Sequence, residues 1–173
     1  MDESMEIVEF GPLTDELRAQ LEGEEDDPFD SAGLLLHFRR KEQHVALRGP
    51  DGRLVASTGM LVVNVDVAGE RFPVVGLGGV IVNAGWRGRG LARQVVEAAL
   101  AKARTLGPQF ALLFCHADRA GLYARLGFAE VDSAVSVGQP DGYEPMSQRT
   151  MWRALRPGAP WPEGELTVHS LPY

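Results

Sequence analysis

The sequence predicts an α/β chain of the α+β type, with a mixed, mostly antiparallel twisted sheet flanked by helices. Three stretches carry that expectation. Residues 54–82 read as a long strand hairpin. Residues 74–103 read as strand, glycine turn and amphipathic helix, and residues 110–131 as strand, short helix and strand. Strands whose neighbours are joined by tight turns, with only a few helices between them, make one sheet covered by helices.

In chain order, Met5 to Phe10 has the composition of a first strand. Thr14 is placed to cap a helix running through Leu21. The run Glu22-Gly23-Glu24-Glu25-Asp26-Asp27, closed by Pro28, reads as a solvated loop or as a rim attracting a cationic amine. Asp30 or Ser31 would cap a second helix over Leu34 to Phe38. His44 to Arg48 is a strand, and Gly49-Pro50-Asp51-Gly52 a turn. Leu54–Val67 and Phe72–Val82 form the hairpin, joined through Ala68-Gly69-Glu70. Gly76, Gly78 and Gly79 interrupt its second strand, and glycine inside a strand marks a bulge or a close backbone approach.

After Val82 the pattern changes. Trp86-Arg87-Gly88-Arg89-Gly90 breaks the apolar run, and from Leu91 the apolar residues Val95, Val96, Ala99, Leu100 and Ala103 recur at helical spacing. A glycine turn feeding a helix start exposes unpaired backbone N–H groups at the positive end of the helix dipole. Arg87, Arg89 and Arg93 add charge, so the stretch reads as a pyrophosphate cradle. A dinucleotide fingerprint would need a third glycine where Arg93 stands and a place after the first strand, and a phosphate-binding P-loop would need Gly-Lys-Ser/Thr. The third reading is a coenzyme A loop of the form Arg/Gln-x-x-Gly-x-Gly/Ala, which Arg87, Gly90 and Ala92 fill in register.

Phe110 to Cys115 is a short, wholly apolar run, Ala117 to Leu126 a short helix, and Gly127 its stop. Phe128 to Val131 opens another strand. Gln139 to Ser147 reads as a loop and Thr150 to Leu155 as a last strand. Residues 1–155 would form one domain, and 156–173, rich in proline, an extended tail packing on it. Trp161, Tyr173 and the terminal carboxylate either dock or line a substrate site.

At 173 residues the chain can bury a core without disulfides, and its single cysteine, Cys115, cannot form one internally. No apolar run approaches the ~18 residues needed to span a bilayer, and the chain reads as cytoplasmic. A net charge of −7 argues against nucleic-acid binding. No spacing resembles a metal site. Nothing in the sequence fixes an oligomeric state, and a homodimer through strands or tail is compatible with it.

Together, WRGRGLARQVVEAAL and LYARLGF resemble the GNAT family of N-acetyltransferases. The resemblance is close from Val74 to Val137 and looser before it. It implies acetyl-CoA as acyl donor, bound by Arg87, Gly88, Arg89, Gly90, Leu91, Ala92 and Arg93 and by the backbone of Val80, Ile81 and Val82. It implies direct attack by a primary amine of a small, cationic acceptor, with Tyr123 protonating the departing thiolate. His116 stands where many relatives carry asparagine, and it leads the candidates for general base ahead of His44, Asp66, Asp118 and Glu144. The layout also resembles, more loosely, the aminoglycoside 2′-N-acetyltransferases, although Gly78 stands where those carry an acid. The alternative reading is a non-catalytic acyl-CoA sensor of the same fold.

Overall fold

The computed structural model describes residues 4–23 and 35–173. Two short strands, β1 (Glu6–Phe10) and β2 (Gln43–Arg48), pair antiparallel. Between them lies α1 (Asp15–Glu22), whose cap is the expected one: the Thr14 hydroxyl accepts from the Leu17 N–H at 3.2 Å. Asp15 and Glu16 place negative charge at the helix's positive end. Leu21 pins the helix to the sheet over Ala46, Leu54 and Ile81.

The long strands β3 (Leu54–Val67) and β4 (Glu70–Val82) form the backbone of the sheet. β4 is followed by a 3₁₀ turn at Ala84–Trp86 and then by α2 (Leu91–Ala103). The buried residues of α2 are Leu91, Val95, Val96, Ala99, Leu100 and Ala103, the stripe that the apolar spacing predicts. β5 (Phe110–Cys115), buried throughout, runs parallel to β4, as a strand returning after a helical crossover does. The predicted helix over 117–126 is a 3₁₀ turn, Ala117–Arg119, continued by α3 (Ala120–Arg125). Gly127, at φ +87°, stops it.

The remaining strands are β6 (Ala129–Glu130), β7 (Val135–Gln139), β8 (Gly142–Pro145), β9 (Arg149–Ala154) and β10 (Leu166–Val168). The sheet runs β6-β9-β5-β4-β3-β10-β7-β8, and only the β4–β5 and β10–β7 pairs are parallel. β3 is long enough to serve two neighbours on one edge, β2 along residues 54–60 and β10 along 65–67. The mixed, mostly antiparallel sheet flanked by helices is the predicted fold class.

Three expectations are corrected. Residues 35–38 are not helical; the proposed caps Asp30 and Ser31, and Leu34, lie outside the described residues, as does most of the acidic run. Residues 139–147 are not a loop, because β7 and β8 close into an antiparallel hairpin across Pro140 and Asp141. Residues 149–154 are not the last strand, because the tail adds β10, and Leu166, Val168 and Tyr173 enter the core. No helix among the described residues is long and apolar enough to cross a membrane.

β4 contains the feature that shapes the site. Gly59 pairs with Gly78 but Ser57 with Ile81, so β4 carries one extra residue at Gly79–Val80. Gly79 takes φ +63°, the left-handed conformation that glycine adopts without strain. Pairing of β4 to β5 covers only Val75 to Leu77. Beyond the bulge the two strands diverge and leave an opening in the sheet.

Candidate active site

A cavity of about 490 Å³ occupies that opening. One wall, formed by Leu77, Val96, Leu113, Cys115 and Tyr123, belongs to the core beneath α2. Phe114 and Tyr173 on the other wall belong to the core of the opposite face. The cavity therefore passes through the sheet where β4 and β5 part. Val80 and Ile81 line it, whereas Val82 does not.

At one end of β4 lies the glycine turn. Asn83 shapes its start, accepting from Gly85 N–H at 3.0 Å and donating to the Gln20 carbonyl at 2.9 Å. The Arg87 side chain donates to the Val82 carbonyl at 3.2 Å, and the Arg89 guanidinium lies 4.6 Å from the centre of the Trp86 ring. Gly88 and Gly90 have φ of +79° and +75°. A Cβ on either would meet no described atom within 4 Å, so among the described residues it is the backbone path, not space, that calls for glycine. Gly90 caps α2 without a side-chain hydrogen bond, and the helical ladder reaches back to the turn through Gln94 N–H, which donates to the Gly90 carbonyl. The N–H groups of Leu91, Ala92 and Arg93 thus form the uncapped first turn, with the partial positive charge of a helix start. The Arg93 side chain turns away to Glu97 at 3.0 Å, leaving its main chain at the cradle. Arrangement and charge fit a pyrophosphate.

Tyr123 is buried, packs edge-on against Phe128 and lines the cavity. Burial, and secondarily the neighbouring Cys115, push its phenol up to about 12. Burial likewise raises the Cys115 thiol to about 11. A thiol so held is almost wholly protonated near neutrality. Cys115 is expected to alkylate at pH 7.5 on the order of tenfold to a hundredfold more slowly than free cysteine, whose pKa is about 8.5. Labelling by iodoacetamide, followed by intact mass, checks this; rapid modification of the folded protein would contradict it.

His116 lines the cavity from the end of β5, next to Arg119. His44 lines it from β2, and its Nδ1 lies 2.7 Å from the Gly11 carbonyl, the geometry of a donated hydrogen bond. Burial lowers its pKa, so the ring is held neutral. The other base candidates are elsewhere. Asp66 is engaged by Arg71 and His169, while Asp118 and Glu144 are exposed and outside the cavity lining. Trp161 also stands outside it, packed against Phe72, Phe110 and Trp152.

Of the tail residues expected to dock or line a site, Tyr173 does both: it lines the cavity and is folded back so that its hydroxyl donates to the Leu112 carbonyl at 3.2 Å, with its ring against Phe114. Lys41, which no sequence motif singles out, sits at the bulge. A Cβ on Gly78 would stand 2.8 Å from the Tyr173 carbonyl oxygen and 3.1 Å from Lys41 Cε; one on Gly79 would stand 3.2 Å from Lys41 Nζ. Glycine at 78 is thus explained: Lys41 and Tyr173 fill the space a side chain would take. Desolvation, and then the Arg18 charge, lower Lys41 to about 8.

The charged groups lining this side are Arg18, Arg39, Arg40 and Lys41 against Glu22, which is itself paired with Arg18 at 3.4 Å. Among the described residues, the carboxylates on this side are Glu22 and the chain-terminal group of Tyr173 beside Gly78; most of the acidic run that would form a rim for a cationic acceptor lies outside the described residues. The described residues contain no group of three metal-ligating side chains.

A family model described as an acetyltransferase (GNAT) domain matches residues 26–131. No curated protein matches the sequence. A GNAT family N-acetyltransferase (YhbS) from Escherichia coli, solved in complex with CoA, is similar at TM-score 0.63 and 20% identity, over 98% of this chain and 92% of that one. A GNAT family acetyltransferase from Brucella melitensis, in complex with acetyl-CoA, aligns at TM-score 0.57 and 16% identity, over 96% and 97%. Escherichia coli ElaA aligns at TM-score 0.56 and 20% identity, over 87% and 99%. At these identities the likeness is one of fold.

Proposed function

The chain belongs to the GNAT acetyltransferase family, and from that premise we propose that it moves an acetyl group from acetyl-CoA to the primary amine of a small acceptor by direct attack. The observation that carries this reading is a juxtaposition: residues 77–81 of β4 line a cavity through the sheet, and just past the same end of that strand lies an uncapped, arginine-flanked helix start. The cradle, from Arg87 through Arg93, would hold the pyrophosphate. The divergent backbone at Val80 and Ile81, with Val82 leading to the turn, would take the pantetheine arm. The extra residue in β4 leaves ladder groups unpaired, and a backbone N–H there would polarise the thioester carbonyl. Tyr123 would return a proton to the sulfur.

Free thiol released from acetyl-CoA across a panel of kanamycin, spermidine, L-phenylalanine and a tetrapeptide with a free amino terminus tests the reading. Release with one amine supports it and identifies the acceptor class. No release, together with saturable acetyl-CoA binding, would favour the non-catalytic sensor. Kanamycin is included for the looser sequence resemblance to aminoglycoside enzymes.

The cradle makes its own prediction. Alanine at position 90 must hold φ near +75°, which costs about 1–2 kcal/mol for a residue with a Cβ. If the turn relaxes instead, the N–H groups lose their aim. Calorimetric titration is expected to show acetyl-CoA affinity about tenfold weaker in Gly90→Ala. Unchanged affinity would place the pyrophosphate elsewhere.

A further inference from the structure

We propose that Lys41 is the general base of the reaction, taking the proton from the acceptor ammonium at the Gly78–Gly79 bulge. The inference rests on the transfer reading above and adds a residue to it. An alkyl ammonium has no lone pair with which to attack, and at neutral pH nearly all of a free alkylamine is in that form (pKa about 10.4). Some group in the cavity must accept a proton where donor and acceptor meet.

The geometry fixes that place. A donor laid from the cradle along Val80 reaches the sheet opening at Gly79. An acceptor entering from the opposite face passes Leu36, Phe38 and Lys41. The two routes join at the bulge, and there Lys41 Nζ comes within 3.2 Å of where a Cβ on Gly79 would stand. Among the described residues no ion pair joins Lys41 to a carboxylate, and the chain-terminal carboxyl group of Tyr173 faces the same bulge, beside Lys41 Cε at the Gly78 position. Its stem is clamped as well, because a Cβ on Gly59 would lie 2.6 Å from Lys41 Cβ. A long, flexible side chain is thereby aimed at one point.

The groups that face Lys41 narrow the choice. Arg18 from α1 and Arg39 and Arg40 beside it are guanidinium groups, which do not give up a proton in proteins. Glu22 is engaged by Arg18. His44 from β2 shares the Gly59 site, its Nε2 3.0 Å from the same Cβ position, but burial lowers its basicity below that of an ordinary imidazole. His116 and Arg119 line the cavity from the end of β5, and Tyr123 and Cys115 stay protonated there. Lys41, held near 8 by desolvation and Arg18, keeps an appreciable neutral fraction at neutral pH and is a stronger base than the His44 imidazole.

The step balances. Neutral Lys41 Nζ takes one proton from the acceptor –NH3⁺. The freed amine forms a bond to the thioester carbon, the carbon–sulfur bond breaks, and the sulfur takes the Tyr123 proton. The second amine proton, shed as the amide forms, restores Tyr123, and Lys41 passes its own to solvent. The sum is ammonium plus thioester giving amide, thiol and one proton.

The test is the pH dependence of kcat/KM between pH 6 and 10 for the wild type, Lys41→Met, Lys41→Arg and His116→Ala. The acceptor is the panel amine that releases thiol fastest, and acetyl-CoA affinity is measured in parallel. The wild-type profile is expected to rise through pH about 8. Both Lys41 variants are expected to lose that limb and fall about 100-fold at pH 7.5, mainly in kcat, with acetyl-CoA affinity within about threefold. Lys41→Arg keeps charge and most of the packing, so a purely structural lysine would leave its profile unchanged; that result overturns the proposal. Loss of the limb in His116→Ala but not in the Lys41 variants overturns it too. A wild type that binds acetyl-CoA but acetylates none of the panel overturns the transfer reading itself, a result distinct from an active wild type with active Lys41 variants.

Discussion

Tyr123→Phe is expected to lower kcat by about 10²–10³-fold while leaving acetyl-CoA affinity within about twofold. The substitution removes one oxygen and keeps the ring that packs edge-on to Phe128, so folding should be little affected. What it removes is the proton for the departing sulfur. At first sight Tyr123 is a poor donor, because burial drives its phenol up to about 12. An ordinary thiol near 8.5 would then leave the transfer several units uphill. The thiolate, however, would form in the same desolvated place. Cys115 gauges that place: it lines the same cavity, and burial raises its thiol to about 11. Desolvation thus raises thiol and phenol in the same direction, and the gap that the proton must cross is narrower than an ordinary thiol would leave. Stopped-flow measurement of thiol release, with calorimetric binding as control, decides the matter. A Phe variant with wild-type kcat would remove Tyr123 from the mechanism.

The elements most legible in sequence are those whose burial follows from local spacing. α2 is the clearest: six apolar residues at helical intervals are the six that the fold buries. The cradle is legible for a related reason. Gly88 and Gly90 are needed for backbone conformations, and those depend on little beyond their own turn. β8 and β10 give no such signal. The four residues of β8 are all exposed, so no alternation marks them, and only the Asp141-Gly142 pair hints at a hairpin. β10 has three residues among prolines and exists only because β3 and β7 receive it from far along the chain. Lys41 is the sharpest case. In HFRRKEQH it is one basic residue among several, and its burial comes from Gly59, Gly78 and Gly79, none of them its neighbours in sequence. The glycines of β4 do read as a bulge or a close approach. Gly79 supplies the first and Gly76 and Gly78 the second, but the chain segment that approaches them is the tail.

That approach leads to the largest stability effect expected of a single methyl group here. A Cβ on Gly76 would lie 2.5 Å from Tyr173 Cζ and 2.7 and 2.8 Å from its two Cε atoms. The ring cannot slide freely, since its hydroxyl is tied to Leu112 and its other face meets Phe114. Gly76→Ala should therefore cost about 1–3 kcal/mol as an overpacked core, despite the gain alanine brings to a strand over glycine. Tyr173→Ala, which empties a buried aromatic site, should cost about 3–5 kcal/mol. The two losses should not add. With the ring gone, the methyl group introduced at position 76 meets open space, and its cost should vanish or change sign. Urea denaturation of the wild type, both single variants and the double variant would show a coupling between about 0.5 and 3 kcal/mol. The double variant should also bind its acceptor more weakly, because Tyr173 lines the cavity whose floor it helps to close. Strict additivity would mean that the tail does not hold Tyr173 against β4 in solution, and that the glycines of this strand answer to something other than the ring.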